Sequence, residues 1–109
     1  MSGTYIAGPM SPYAFGIDGI PKDWDWNFPA FNAAAAIYRA AGHEVYNPAD
    51  NGADANQPNE YYYRLALKQL VECDHIVMLP GWENSKGATL ELAVADLLGM
   101  EITYLEAAS

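Results

Sequence analysis

The segment that decides the fold is His75-Ile76-Val77-Met78-Leu79-Pro80-Gly81-Trp82-Glu83-Asn84-Ser85-Lys86-Gly87-Ala88-Thr89-Leu90-Glu91. It opens with a continuous apolar run, which is typical of a central parallel strand covered on both faces. Proline, glycine and asparagine then indicate a loop, and a helix is predicted to begin at Gly87 or Ala88 and to end near Leu98. The segment therefore predicts a buried strand that turns directly into a helix.

The rest of the chain repeats this alternation. Strands are predicted at Thr4–Ala7, His43–Tyr46 and Ile102–Leu105, and helices at about residues 27–41 and 60–72. Alternating strands and helices indicate an α/β domain with a parallel sheet of about four strands and right-handed crossovers. At 109 residues the chain is expected to form a single domain, 1–109.

Composition restricts the class of partner. The formal net charge is −9 with only five Lys and Arg residues, which is too few for a broad phosphate-binding face, so polymeric nucleic acid is not expected as a partner. No apolar run is long enough for a membrane span, and the start lacks the basic region of a signal peptide. Cys73 is the only cysteine, which excludes an internal disulfide and favours the reducing cytoplasm.

A ligand site is predicted outside the carboxyl ends of the strands, where open parallel sheets bind their ligands. The loops that leave these ends are Gly8–Trp26, Asn47–Pro58 and Pro80–Lys86. In the third loop, Ser85-Lys86-Gly87 stands at a helix N-terminus, where backbone N–H groups and the helix dipole favour an anion. Glu91 follows about one turn later and either points into the site as a catalytic carboxylate or is simply favoured there by the dipole.

Four stretches resemble a known family: Tyr5-Ile6-Ala7-Gly8-Pro9-Met10, Asn27-Phe28-Pro29-Ala30-Phe31-Asn32, Ala40-Ala41-Gly42-His43-Glu44-Val45-Tyr46-Asn47-Pro48 and Leu79-Pro80-Gly81-Trp82-Glu83-Asn84-Ser85-Lys86-Gly87-Ala88. They are similar to the small phage and bacterial domains called DUF4406. These domains look like members of the nucleoside 2-deoxyribosyltransferase superfamily, which also contains deoxynucleoside monophosphate N-glycosidases. The resemblance covers Thr4 to about Leu105 and implies a three-layer flavodoxin-like or Rossmann-like fold.

The resemblance also implies chemistry at the N-glycosidic bond of a nucleoside or nucleoside 5′-monophosphate. In the superfamily, a glutamate in a pattern like Ser-x-Gly-x-x-x-Glu attacks the anomeric carbon, and Ser85, Gly87 and Glu91 match that pattern. The serine resembles the one that holds a 5′-phosphate, and Tyr5 matches an aromatic residue near the sugar or base. The substrate-binding residues expected from the motifs and loops are Tyr5, Gly8, Pro9, Met10, Asn47, Gly81, Trp82, Ser85, Lys86 and Gly87.

One position departs from the pattern. The superfamily usually carries an aspartate on the second helix, and the matching stretch Arg64-Leu65-Ala66-Leu67 has Ala66 at that position. A departing base needs a proton, so the missing acid leaves open a non-catalytic protein that binds, sequesters or senses a nucleotide. Glu83, Asp50, Asp18, Asp23 and Asp25 are the acids that could replace the missing group, and the sequence does not choose among them. Asp74 opens the third strand at the opposite end of the sheet and is expected to be structural.

Aromatic and histidine residues leave further alternatives open. Trp82 could stack on a base or pack against the core, while Trp24 and Trp26 are expected to pack or to form an interface. His43 and His75 begin strands away from the site and are expected to be structural. Neither a metal nor an organic cofactor is expected. Because superfamily members commonly complete their sites across a subunit interface, a homodimer or higher homo-oligomer is expected.

Overall fold

The computed structural model describes residues 3–53 and 56–107. The strands are β1 (Gly3–Ala7), β2 (Glu44–Tyr46), β3 (His75–Met78) and β4 (Glu101–Tyr104). The helices are α1 (Phe28–Ala40), α2 (Asn59–Leu70) and α3 (Lys86–Leu97). Short 3₁₀ turns occupy Pro12–Phe15, Pro48–Asn51 and Trp82–Asn84.

The four strands form one parallel sheet in the order β2-β1-β3-β4. The chain moves outward from β1 to β2 and then crosses back to β3 on the other side of β1. Crossovers of one hand then require α1 on one face of the sheet and α2 and α3 on the other. The hydrophobic clusters have this arrangement, so the predicted three-layer α/β fold with a parallel sheet is confirmed.

Each face of the sheet has its own core. Tyr5 and Ile76 pack with Leu70 of α2 on one face. Ile6 and Val77 pack with Phe31 of α1 on the other. All six side chains are essentially inaccessible to water, which explains why β1 and β3 lack an exposed, polar alternation.

The structure moves several predicted boundaries. Helix α3 begins at Lys86, before the predicted Gly87 or Ala88, because the Ser85 hydroxyl caps it by accepting from the Ala88 N–H at 3.1 Å. Asn27 precedes α1 but makes no side-chain cap; its Nδ2 instead donates to the Pro9 carbonyl at 2.9 Å.

Helical spacing in the sequence predicts Tyr63, Leu67, Leu70 and Val71 as the inner stripe of α2, and this prediction is only partly correct. Leu70 is buried and Leu67 packs on the core, whereas Tyr63 is 40% and Val71 is 56% exposed. Val71 lies outside the helix, at its C-cap. Tyr63 lies over the N-terminus of α3, where its Cε1 approaches Gly87, and so it covers the site rather than the core.

A polar cluster closes the amino ends of the strands. Thr4 Oγ1 lies 3.2 Å from the Nδ1 atoms of both His43 and His75, and His75 Nε2 lies 2.8 Å from Thr103 Oγ1. The Tyr38 ring packs edge-on against both imidazoles. These partners place the two histidines at the amino ends of the strands, as predicted, in structural contacts. Within residues 3–53 and 56–107, no helix is long and apolar enough to cross a membrane.

Candidate functional site

A cavity of about 640 Å³ opens at the carboxyl edge of the sheet. It lies beside the end of β1, where the neighbouring strands β1 and β3 mark the reversal of strand order. Five regions wall it: the end of β1, the loop before α1 with the start of α1, the described segment between β2 and α2, one side of α2, and the first turns of α3 with the residue Asn84 just before them. This is the position that the sequence predicted from the rule for open parallel sheets.

The floor of the cavity holds a buried acid. Glu91 lies on the second turn of α3, is 9% exposed and accepts a hydrogen bond at Oε2 from the Tyr5 hydroxyl of β1. Burial raises the pKa of Glu91 to about 7, although the Tyr5 hydrogen bond opposes that rise. The pKa of Tyr5 is raised well above its ordinary range by burial and by the adjacent carboxylate. Tyr5 therefore stays a neutral donor, while Glu91 titrates near neutrality.

The N-terminus of α3 forms one wall. The first N–H groups of a helix lack partners within the helix, and the Ser85 hydroxyl satisfies only that of Ala88. Ser85, Lys86 and Gly87 all line the cavity, so two backbone N–H groups and the Lys86 ammonium stand at its edge. A Cβ at Gly87 would lie 3.2 Å from Tyr63 Cε1, so glycine lets the Tyr63 ring approach this wall without a shift of a few tenths of an ångström. The wall suits one anionic group of a ligand.

Aromatic side chains form much of the remaining wall. Tyr62 and Tyr63 come from α2, Phe28 comes from the start of α1, and Trp26 comes from the preceding loop. Trp26 adopts a left-handed backbone conformation with φ of 57°, which is uncommon for a bulky residue and is typical of functional loops. Trp26 is expected from the sequence to pack or to form an interface, and in the structure it lines the cavity.

Glu91 is the only carboxylate in the cavity wall among the residues that the structure describes. Ala66 lines the cavity, at the position where the resemblance implied an aspartate. None of the five acids named as possible replacements contributes to the described wall: Asp50 pairs with Arg39 at 3.2 Å, Asp25 accepts from the Asn27 N–H, and Asp18, Asp23 and Glu83 are exposed. Asp74 lies at the amino end of β3, away from the cavity, as predicted.

Six of the ten predicted substrate-binding residues line this cavity together with Glu91: Tyr5, Gly8, Met10, Ser85, Lys86 and Gly87. Pro9 and Gly81 instead line a smaller adjoining depression. Asn47 is buried in structural contacts, with Nδ2 donating to Asn32 Oδ1 and Oδ1 accepting from the Ala49 N–H. Trp82 packs on the core with its ring 5.8 Å from that of Tyr104, which is the packing alternative.

The structure gives a packing reason for glycine at position 8 that the sequence did not reveal. A Cβ at Gly8 would lie 2.7 Å from Leu79 Cβ, a distance at which something must shift. The Leu79 N–H also donates to the Ala7 carbonyl at 2.8 Å, so β1 and β3 stay paired at their ends. Gly8 therefore permits close approach of two strands beside the cavity, in addition to any approach of a ligand.

Sequence reasoning missed several wall residues on α2 and on the long loop. The run Tyr61-Tyr62-Tyr63 predicts only that at least one tyrosine is exposed or lies in a subunit contact, and Trp26 is expected to pack or to form an interface. Helical spacing could have identified Tyr62 and Tyr63. Ala66, which was already placed at the site, lies four residues after Tyr62 and three after Tyr63, so all three share one face of the helix. The loop residue Trp26 carries no comparable periodic signal.

Comparison with known proteins identifies a family. The family model described as "Domain of unknown function (DUF4406)" matches residues 2–104. No curated protein matches the chain. The family match extends over all four strands, all three helices and every wall of the cavity.

Proposed function

This chain belongs to the DUF4406 family, and we propose that it cleaves or transfers the N-glycosidic bond of a nucleoside or nucleoside 5′-monophosphate. The observation that carries the proposal is the buried Glu91 carboxylate on the cavity floor, held by the Tyr5 hydroxyl. A single oriented carboxylate next to a nucleoside-sized cavity suits attack on an anomeric carbon. The resemblance to N-glycosidases agrees with this chemistry. We also propose that the chain belongs to the nucleoside 2-deoxyribosyltransferase superfamily.

In the first step, a carboxylate oxygen of Glu91 bonds to C1′ while the bond between C1′ and the base nitrogen breaks. The electron pair of that bond leaves with the base, which takes up a proton if it would otherwise depart as an anion. The transition state has oxocarbenium character, and the negative charge of Glu91 stabilises it at close range. Tyr5 orients the carboxylate through its hydrogen bond at Oε2.

In the second step, water or an acceptor base attacks C1′ of the glycosyl ester. The bond between C1′ and the Glu91 oxygen breaks, and its electron pair restores the carboxylate. Water gives hydrolysis and a second base gives transfer. The wall formed by Ser85, Lys86 and Gly87 would hold the 5′-phosphate or the sugar hydroxyls of the substrate.

The test is base release from a panel of nucleosides, deoxynucleosides and their 5′-monophosphates, followed by chromatography. Glu91→Gln should abolish release but spare ligand binding, because the amide keeps the shape of the side chain and loses the nucleophile. Glu83→Gln is the matched control, since Glu83 is exposed on the turn before α3 and does not line the cavity. Release that persists undiminished in Glu91→Gln would refute the assigned role.

A second candidate function is ligand binding without turnover. Ala66 in the cavity wall, with no second acid among the described wall residues, favours it. Thermal-shift measurements with the same panel separate the two functions. Stabilisation by one nucleotide without any base release would favour a sequestering or sensing protein.

We also propose a homodimer or higher oligomer. Leu90 and Leu97 are 46% and 84% exposed and lie two turns apart on α3, so they form an apolar strip on one side of the helix. Light scattering checks this proposal, and a monomer at working concentration would contradict it.

A further inference from the structure

Apart from Glu91, the described wall of the cavity contains no carboxyl group that could protonate a departing base. Glu91 must be ionised to attack, and Tyr5, whose pKa is raised, donates its hydrogen bond to that carboxylate. Ala66 offers only a methyl group, and the other polar side chains of the described wall are amides, hydroxyls and the Lys86 ammonium. Protonation of the base by a positioned acid typically contributes about 10²–10⁴-fold in rate, so the lack of a second carboxyl in the described wall bears on the choice of substrate.

We infer that the preferred substrates are N-glycosides whose base already carries a positive charge, such as pyridinium nucleosides. This inference rests on the proposed function and narrows its substrate class. A cationic base departs as a neutral molecule, because it accepts the electron pair of the breaking bond on a ring nitrogen that is already positive. No acid is then needed at the position of Ala66.

The walls of the cavity suit such a cation. Tyr62, Tyr63, Trp26 and Phe28 offer aromatic faces, which attract cations through their quadrupoles. The net charge of −9 draws cations toward the molecule. Lys86 lines the cavity as the first residue of α3, beside the backbone N–H groups that would hold the anionic 5′ end of a nucleotide.

The environment of the buried Glu91 carboxyl also favours a cationic substrate. Burial without a cationic partner raises the pKa of Glu91 to about 7, so part of the free protein holds the acid protonated at neutral pH. A positive base beside Glu91 supplies the opposite charge that this carboxylate lacks and lowers its pKa. Binding of a cationic substrate would thus ionise the nucleophile that attacks it.

The reaction balances without a further reactant. Glu91 Oε forms a bond to C1′, the bond from C1′ to the pyridinium nitrogen breaks, and the neutral base leaves with its electron pair. Water then attacks C1′, the electron pair of the ester bond returns to the Glu91 carboxylate, and one proton passes to solvent. Hydrolysis therefore releases one proton for each pyridinium nucleoside consumed, which a pH-stat records.

The first experiment compares nicotinamide riboside and nicotinamide mononucleotide with uridine, adenosine and their 5′-monophosphates, in ribo and 2′-deoxy forms. Each rate is divided by the rate without protein, because pyridinium nucleosides are intrinsically more labile. We expect the acceleration for the pyridinium substrates to exceed that for the neutral ones by about 10²-fold or more and to disappear in Glu91→Gln. Equal or greater acceleration for the neutral substrates would overturn this inference and leave the proposed function standing. Release from neither group would overturn both.

The second experiment restores an acid to the wall. Ala66→Asp should raise the ratio of neutral to pyridinium turnover by about 10-fold or more, because the new carboxyl can protonate a neutral base. Asparagine has nearly the same size as aspartate but no acidic group, so Ala66→Asn should leave that ratio unchanged. Circular dichroism checks that both variants fold. A ratio that rises equally in both variants, or in neither, would show that a missing acid does not set the substrate class.

Discussion

Replacing Glu91 by glutamine should make the protein more stable at alkaline pH. Burial raises the folded-state pKa of Glu91 to about 7 from an ordinary value of 4.5. An acid whose pKa is higher in the folded state stabilises the fold below its unfolded pKa and loses that contribution as the pH rises toward its folded pKa. The wild-type protein should therefore lose stability between about pH 4.5 and about pH 7 through this one residue.

The size of the effect follows from the two pKa values. Linkage gives a loss of about 2–3 kcal/mol between about pH 5 and about pH 8, and ionisation costs about 3 kcal/mol in total. Glutamine keeps the acceptor for the Tyr5 hydroxyl and adds an amide N–H group whose burial costs about 1 kcal/mol. Glu91→Gln should therefore be about 2 kcal/mol more stable than wild type at about pH 8 and no more stable at about pH 5.

Urea unfolding of both proteins across this pH range measures the difference directly. The other carboxyl groups are common to both proteins, so their contributions cancel when the two free energies of unfolding are subtracted. Thermal midpoints should diverge by about 10 °C between the two pH values, at about 4 °C per kcal/mol for a domain of this size. Glu106→Gln removes an exposed carboxylate and should run parallel to wild type.

A constant difference between Glu91→Gln and wild type at all pH values would refute the reasoning. It would mean that the Glu91 carboxyl is solvated in the folded protein and titrates as it does in the unfolded chain. A variant that becomes less stable as the pH rises would show that ionised Glu91 has a cationic partner.

Three further predictions concern the same edge of the sheet and the core behind it. Tyr5→Phe removes the hydrogen bond that lowers the pKa of Glu91, so the pH at which base release becomes half-maximal should rise from about 7, as pH–rate profiles would measure. Gly8→Ala should lower the free energy of unfolding by about 1–3 kcal/mol, because its Cβ would meet Leu79 Cβ at 2.7 Å; an unchanged urea midpoint would contradict this. Burial raises the pKa of Cys73 to about 11, so iodoacetamide should alkylate the native protein at about pH 8 far more slowly than the urea-unfolded chain; equal rates would contradict the burial of the thiol.

Several features of this protein could be predicted from local patterns. The apolar run that opens at His75 identified the central strand, and the alternation of strands and helices identified a parallel sheet. Ser85 and Glu91 could be assigned to the start of α3 because capping and helical spacing act over one or two turns. The site could be placed at the carboxyl edge because that rule depends only on strand direction.

Boundaries were less predictable where tertiary contacts compete with local preference. Asn27 has the side chain of a helix cap, but its amide donates to the Pro9 carbonyl of a distant loop. Tyr63 has the spacing of a core residue on α2, but it covers Gly87 at the cavity. In both cases a contact across the molecule outweighs a preference worth only about 1 kcal/mol.

The sequence by itself determined the class of fold, the edge that carries the site and the acid that stands on it. Only the tertiary structure decided what that acid contacts: Tyr5 lies 86 positions earlier in the chain and donates from β1 to Glu91 on α3. It also brought Trp26, Tyr62 and Ala66 to one cavity. The physical reason is that periodicity and capping act within a few residues, whereas the composition of a cavity depends on how separate elements pack against one another.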